Sequence, residues 1–343
     1  MDFYWIDLPE PLWIIVLQKL DVKSLLNISA TCTTFYNILE NTILNNKFKF
    51  VIKGSPYKQL QKVTKQSDRK YRNLALLYFN QGASTKENFQ SMISTLDLFF
   101  TYIKYVELFK FKISNNNLRL LIETLKNVET FHLTCVTAIE PLKSTQKTET
   151  TINLLSMKDV EIEYDMDLFD KMKVKHLKIA GCNTNYHEPF LLNHKELQRL
   201  TAAIPMFKNN NLSNVKFSLE ILQLCLASWS NKQYALNFIR TQTDLRQVYL
   251  SLGKDQYDIL FLKHIINNNP NLYELVLELK GDSVKLFMND IDQIDTNHSV
   301  EYLYFKCDPY NYSLAKRMFK LFQNNKNAND FDRSSIYCYC SLI

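Results

Sequence analysis

Seven cysteines and six histidines are the side chains here best suited to nucleophilic, redox or metal chemistry, and their spacing supports none of these. No C-x-x-C pair occurs among Cys32, Cys135, Cys182, Cys225, Cys307, Cys338 and Cys340, so no zinc ribbon or dithiol redox site is signalled. Cys182, His187 and His194 are close in sequence but match no ligand spacing. Cysteines scattered singly read as small buried apolar residues in a reducing compartment. Phosphate-cradling loops need glycine, and with only five glycines the chain has neither G-x-G-x-x-G nor G-K-[ST]. H-E-x-x-H and G-x-S-x-G are also missing from the sequence, and Glu161 with Glu163 reads as a solvated acidic face. The expectation is a non-catalytic protein with no metal and no cofactor.

The bulk properties point to a folded protein of more than one part. A chain of 343 residues exceeds one small core, which predicts a short module plus a larger body or a repeat array. The 46% hydrophobic and 22% charged fractions are ordinary for folded chains, which argues against extended disorder. The net charge of +6 is spread over scattered lysines rather than gathered into a basic stripe, so nucleic acid is not the expected partner. Pro9 and Pro11 interrupt the first apolar run, and no basic segment precedes it, so it does not read as a secretory signal. No apolar run is long enough to span a bilayer. These features lead us to expect a cytoplasmic protein, with membrane association or a nuclear location as alternatives.

The N-terminal stretch carries the first pattern. Asp7, Pro9 and Pro11 stand where a helix begins, and Leu12, Ile15, Val16 and Leu20 follow at three- and four-residue spacing. Asp21 is placed to cap a second helix containing Leu25, Leu26 and Ile28. Cys32, Phe35, Tyr36, Ile38 and Leu39 form a third apolar set ending near Asn41. Three short helices bury little surface by themselves, so such a bundle gains stability by docking on something else.

The order Leu8-Pro9, Leu12, Ile15, Leu20-Asp21, Leu25-Leu26, Ser29, Cys32 and Phe35 resembles the F-box. Two positions depart from that family. Pro11 replaces a commonly acidic residue, and Lys47 and Phe48 stand near the usual place of a tryptophan. The resemblance implies binding to a Skp-type adaptor through Leu8, Pro9, Leu12, Ile15, Leu20, Leu25, Leu26, Ser29, Cys32 and Phe35. Through that adaptor it implies a cullin scaffold and an SCF-type E3 ubiquitin ligase. The competing reading is three ordinary helices packed on the body.

The remainder is periodic. The pattern L-x-x-L-x-L, with L any sizeable apolar residue, occurs at Val106-Phe109-Phe111, Val128-Phe131-Leu133, Ile152-Leu155-Met157 and Val174-Leu177-Ile179. It recurs at Leu197-Leu200-Ala202, Leu219-Leu222-Leu224, Leu245-Val248-Leu250, Leu272-Leu275-Leu277 and Val300-Leu303-Phe305, with an earlier copy at Tyr71-Leu74-Leu76. From Val106 onward the copies start 22 to 28 residues apart, the period of leucine-rich repeats. Alternating apolar positions predict one inward face per strand. A second apolar set at helical spacing, such as Leu118, Leu121, Ile122 and Leu125, must be covered by a neighbouring unit, so only a stack buries both. Asn115 to Asn117, Asn209 to Asn211 and Asn267 to Asn269 read as turns between the pieces.

The expected fold class is therefore α/β: an F-box-like helical module, then a leucine-rich-repeat solenoid, a horseshoe with parallel β-strands on its concave face and helices on its convex face. The expected boundaries are residues 1–50 for the helical module, 51–105 for a linker and cap, 106–323 for the solenoid and 324–343 for a flexible tail. Residues between the inward positions should line the concave face, and Lys110, His132, Lys158, His176, Lys178, Arg199, Tyr249, Tyr302 and Tyr304 are the candidates for gripping a protein substrate. The early repeats read as basic and the last two as acidic and tyrosine-rich, which suits a partner of opposite polarity. The ending Cys340-Ser341-Leu342-Ile343 resembles a C-a-a-X box, implying a lipid on Cys340 and a membrane contact, with Cys338 as a second acylation site. The leading functional expectation is a substrate-recognition subunit of an SCF-type ligase. The alternative is a leucine-rich-repeat scaffold or inhibitor-type binding protein without a ubiquitination role.

Overall fold

The computed structural model describes residues 8–40, 42–53, 71–78, 101–124, 127–139, 149–162, 172–182, 194–202, 217–225, 232–253, 257–279, 283–290, 300 and 302–306, with Phe89, Ile93, Ser94, Phe169, Leu191, Leu192 and Val215. Asp7, Leu125, Asn209 to Asn211 and the segment ending in Cys340 lie outside the described residues. The chain divides into two compact units. One comprises residues 1–152 and 160–165, the other 153–159 and 166–343.

The first unit begins with four helices: α1 (Glu10–Leu17), α2 (Val22–Ser29), α3 (Thr33–Leu39) and α4 (Thr42–Asn45). Pro9 is the N-cap of α1, and its carbonyl accepts the amides of Leu12 and Trp13 at 2.9 and 3.2 Å. Pro11 falls in the first turn, where a missing N–H costs nothing. Asp21 caps α2 as expected: Oδ1 accepts the Ser24 amide at 2.8 Å and Oδ2 accepts the Ser24 hydroxyl at 3.1 Å. Leu17, Leu25, Ile38, Leu39, Leu44 and Phe48 form the module's core, with Trp13, Ile14, Leu20, Ile28, Phe35 and Tyr71 packed against it.

Parallel strands follow in the same unit: β1 (Lys49–Lys53), β2 (Asn73–Leu77), β3 (Tyr105–Ser114) and β4 (Thr130–Ile139), paired in that order, with short β6 (Glu161–Ile162) beside β4. Two strands thus lie in the stretch expected to be linker and cap, and the strand series starts at Lys49. Helix α5 (Asn115–Thr124) packs on β3 and β4 through Leu118, Leu121 and Ile122. Asn115 to Asn117 opens that helix rather than forming a turn, because the Ser114 hydroxyl accepts the Asn117 amide at 3.3 Å and holds the first turn.

The second unit contains most of β5 (Thr150–Lys158), then β7 (Met172–Ala180), β8 (Arg199–Ala202), β9 (Ile221–Cys225), β10 (Gln247–Leu252), β11 (Glu274–Leu279) and β12 (Tyr302–Lys306) in sequential parallel order. Helices α6 (Lys232–Arg240), α7 (Ile259–Asn268) and α8 (Ser283–Asp290) connect the later strands. Parallel neighbours need crossover connections, and helices provide them. The arrangement is compatible with an α/β solenoid. No helix among the described residues is long and apolar enough to cross a membrane.

Strands β7, β9, β10 and β11 bury the alternating positions the pattern predicts: Leu177 and Ile179, Leu222 and Leu224, Val248 and Leu250, and Leu275 and Leu277. The copy in β3 is phased differently from the expected Val106-Phe109-Phe111. Ile103, Val106, Leu108, Phe111 and Ile113 are the buried residues, while Phe109 is half-buried. The cause is Lys110, whose φ of 50° breaks the alternation between Leu108 and Phe111. Tyr78, Cys135, Asp159 and Gly181 have the same left-handed backbone at φ 57, 53, 52 and 63°. Register places Tyr78 next to Lys110, and the Asp159 amide donates to the Ala180 carbonyl at 2.8 Å, one residue before Gly181. The left-handed residue thus recurs in or just past β2, β3, β4, β5 and β7, where the chain turns a corner.

Buried amides link the later repeats. The Leu219 amide donates to Gln242 Oε1 at 3.0 Å, and the Leu245 amide donates to Asn269 Oδ1 at 2.9 Å. Gln242 and Asn269 both stand three residues before the next repeat's first leucine, Leu245 and Leu272. His194 holds the same place before Leu197 and is 2% exposed. Burial drives its pKa down to about 4, opposed by a hydrogen bond with the Met172 main chain. The ring is therefore neutral near pH 7.

Candidate functional site

Helix α1 contains the uninterrupted apolar run Leu12 to Leu17, and a helix apolar all round needs cover on every side. The module covers only one side. Trp13, Ile14 and Leu17 pack inward, with the Trp13 and Phe35 rings edge to face at 4.8 Å. Leu12, Ile15 and Val16, neighbours at three- and four-residue spacing, are 47, 55 and 47% exposed. Leu8 and Leu26 are also exposed, as are Pro9 and Cys32. The result is an open apolar face on the helices.

Not all of the ten expected contact residues lie on this face. Leu25 is fully buried in the module core, and half-buried Leu20 and Phe35 pack against that core, so these three build the module. The physical reason is the helical turn: adjacent Leu25 and Leu26 point about 100° apart, so one goes in and one out. Ser29 is half-buried and its hydroxyl donates to the Leu26 carbonyl at 2.7 Å, which closes the end of α2. Sequence reasoning did not assign Val16, Val22 or Ile43 to the face, yet all three are exposed. For Val16 the signal was its i, i+4 relation to Leu12.

Lys47 and Phe48, at the place of the expected tryptophan, close the module. Phe48 is buried in its core, and Lys47 Nζ donates to the main-chain carbonyls of Gln18 and of Leu20, the latter at 2.9 Å. A cation there meets carbonyls just past the C-terminal end of α1, the end that favours positive charge.

The cysteines differ from the expectation of buried residues. Of the four described cysteines only Cys182 is buried. Cys135 and Cys225 are half-buried, and Cys32, the N-cap of α3, is exposed. Main-chain hydrogen bonding at Phe35, opposed by burial, lowers the Cys32 thiol pKa. All four are free thiols. Among the described residues no group of His, Cys, Asp or Glu is arranged to hold a metal ion.

The second candidate surface is the outward face of the strands. In the first unit, His132 lies beside Glu107 in register, and its ring is 5.0 Å from Tyr105. Burial and Glu107 raise the Tyr105 pKa, against the pull of Lys49. Lys49 is ion-paired with Glu107 and lies 5.2 Å above the Tyr105 ring. Lys110 sits at the strand corner rather than on the alternating face, over the rings of Tyr78 and Phe109 at 5.6 and 5.5 Å. Tyr105, Glu107 and Phe109 face outward from the first part of β3 and Lys112 from the second, so aromatic, charge-paired and basic side chains share this part.

In the second unit, His176 and Arg199 are register partners on β7 and β8, and Lys158 and Lys178 are exposed nearby on β5 and β7. Burial, then Arg199, Lys178 and Lys175, depress the His176 pKa, and Glu220 opposes them. Farther along, the Tyr249 hydroxyl donates to Glu278 at 3.0 Å, and Gln247 donates to Glu274 at 2.8 Å. Burial and the Glu278 carboxylate push the Tyr249 pKa up to about 12. Tyr302 and Tyr304 lie on β12 beside Glu274 and Val276 in register, and their side chains are outside the described residues.

Comparison with known proteins matches an F-box domain to residues 5–47, which covers α1 to α4. No curated protein matches the chain. F-box domains typically bind a Skp-type adaptor within SCF complexes, and proteins carrying them are in general non-catalytic substrate-recognition subunits of these ubiquitin ligases. The N-terminus is thus an F-box helical module, followed by a parallel-strand sheet with helices.

Proposed function

We propose that this chain recruits a protein substrate to an SCF-type ubiquitin ligase, docking on the adaptor with the F-box and on its cargo with the outward face of a leucine-rich-repeat solenoid. The single observation that carries this reading is the open apolar face of α1 within the F-box match. Leu12, Ile15 and Val16 are close to half exposed in a helix whose other side is already packed. An apolar cluster left in water marks a binding surface. The copies of L-x-x-L-x-L and their buried alternate positions support the repeat assignment, and parallel strands offer a row of outward side chains to a cargo protein. On this reading the alternative, a binding scaffold without ubiquitin chemistry, is disfavoured because it gives the α1 face no occupant.

The test is a pull-down of the full-length chain from cells, read by mass spectrometry, beside Leu12→Asp/Ile15→Asp. The wild type is expected to bring down a Skp-type adaptor, a cullin and cargo, and the double variant cargo alone. No adaptor with the wild type refutes the proposal. Cargo turnover unchanged by the double variant favours the scaffold.

A further inference from the structure

We propose that Arg199, Lys178 and Lys158 form a diagonal staircase of cations on the second unit's outward face that binds an extended protein segment with acidic side chains at alternate positions. This rests on the reading that the outward face is the cargo surface, and it specifies the chemistry of the cargo.

The geometry follows from register. His176 is paired with Arg199, so Arg199 lies one strand over and two residues back from Lys178. The Asp159 amide bonds to the Ala180 carbonyl, the same offset as the Tyr78 amide to the Phe109 carbonyl, where Leu77 is the partner of Phe109. That sets Lys158 beside Ala180, again one strand over and two residues on from Lys178. Each step therefore spans one strand spacing and two residues, roughly 8 Å, and the three cations cover about 16 Å. An extended chain places every second side chain on one side about 6.6 Å apart. Flexible lysine and arginine stems bridge the difference, so three acids within about five residues meet the three cations.

Charge balance is the second argument. In the first unit two outward cations are neutralised internally: Lys49 pairs with Glu107 and Lys104 with Glu129 at 2.9 Å. In the second unit Glu274 and Glu278 accept from Gln247 and Tyr249. Arg199, Lys178 and Lys158 are all exposed, and none has an ion pair among the described residues. Burial is the first cause of the depressed His176 pKa, and Arg199, Lys178 and Lys175 add to it against Glu220. A carboxylate-bearing strand supplies what the surface lacks, and geometry restricts its spacing.

The experiment is fluorescence anisotropy with the purified full-length protein and a fluorescein-labelled decapeptide containing Asp-Ser-Asp-Ser-Asp. Wild type is expected to bind it at 50 mM salt. Replacing the three Asp by Asn should weaken binding at least tenfold, as should Lys178→Ser or the triple variant Lys158→Ser/Lys178→Ser/Arg199→Ser. Lys112→Ser, an equal charge loss on exposed β3, should change it less than twofold. Three results each overturn the proposal: no binding by wild type, equal weakening by Lys112→Ser, or tighter binding of oligo(dT) by the same three cations. Adaptor capture by the triple variant is read in parallel. Peptide binding lost with adaptor capture kept supports the staircase, whereas absent adaptor capture alone counts against the ligase reading and leaves the staircase standing.

Discussion

The F-box helices and the strand series behind them use apolar residues in opposite ways. In the described strands, the alternating leucines, valines and isoleucines are nearly all buried, and apolar side chains left outside, such as Val51 on β1 and Leu260 on α7, are scattered singly. In the helices, Leu8, Leu12, Ile15, Val16, Val22, Leu26 and Ile43 are all exposed within one small module. Scattered exposure is ordinary, whereas clustered exposure needs a partner. The strands therefore bury their apolar positions within the chain, whereas the helices close a core and still leave an apolar face in water. Substitutions should separate the two behaviours.

The largest expected contrast lies within two adjacent residues. Leu25→Ala should cost about 2–5 kcal/mol of module stability because it opens a cavity in a closed core, while Leu26→Ala should stay within about 0.5 kcal/mol and act on binding alone. Chemical denaturation checks both, and equal losses would break the inside–outside assignment. Next is the buried His194. Its folded pKa, about 4, lies below the ordinary 6.5, so the unfolded chain takes up a proton first as pH falls. The stabilisation is complete above pH 6.5 and is lost as pH drops from 6.5 to 4, roughly 3 kcal/mol in all. His194→Asn, which copies Asn269 at the matching place, should flatten that dependence in melting curves taken across this range. An unchanged slope would remove His194 as its source.

Smaller effects concern the ends of the elements. Lys47→Met keeps the stem but loses the bonds to Gln18 and Leu20, and should lower module stability by about 2 kcal/mol. If it is neutral, Lys47 does not replace the tryptophan's closing role. Gly181→Ala should cost about 1 kcal/mol by urea titration. The residue sits at φ 63°, and a Cβ there would lie 2.2 Å from Asp159 Oδ1, so the Asp159 side chain must swing away. A neutral result would show that the corner tolerates a side chain, as it does at Lys110.

Much of this was legible in the residue order. Asp21 announced its cap, and the repeat copies from Val128 to Leu277 announced their buried positions, because both rest on local rules of spacing. The phase of the β3 copy was not legible, since Phe109 and Phe111 fit the pattern as well as Val106 and Leu108, and only the left-handed Lys110 decides between them. Strand β1 was hidden because Lys49-Phe50-Val51-Ile52-Lys53 is short and follows helices. On the F-box, the motif located the module, but α1 is apolar on both sides, so composition did not reveal which side is open. The cations of the second unit were visible one by one. Their diagonal required the register.

The most direct test of the central claim is calorimetric titration of a purified Skp-type adaptor into the full-length chain, wild type against Leu12→Asp/Ile15→Asp. Burying the exposed half of each side chain accounts for roughly 1.5–3 kcal/mol and a carboxylate pressed into an apolar contact costs more, so the double variant should bind at least a hundredfold more weakly while its melting temperature is unchanged. Equal affinity for the two proteins, or no binding by the wild type, would contradict the account.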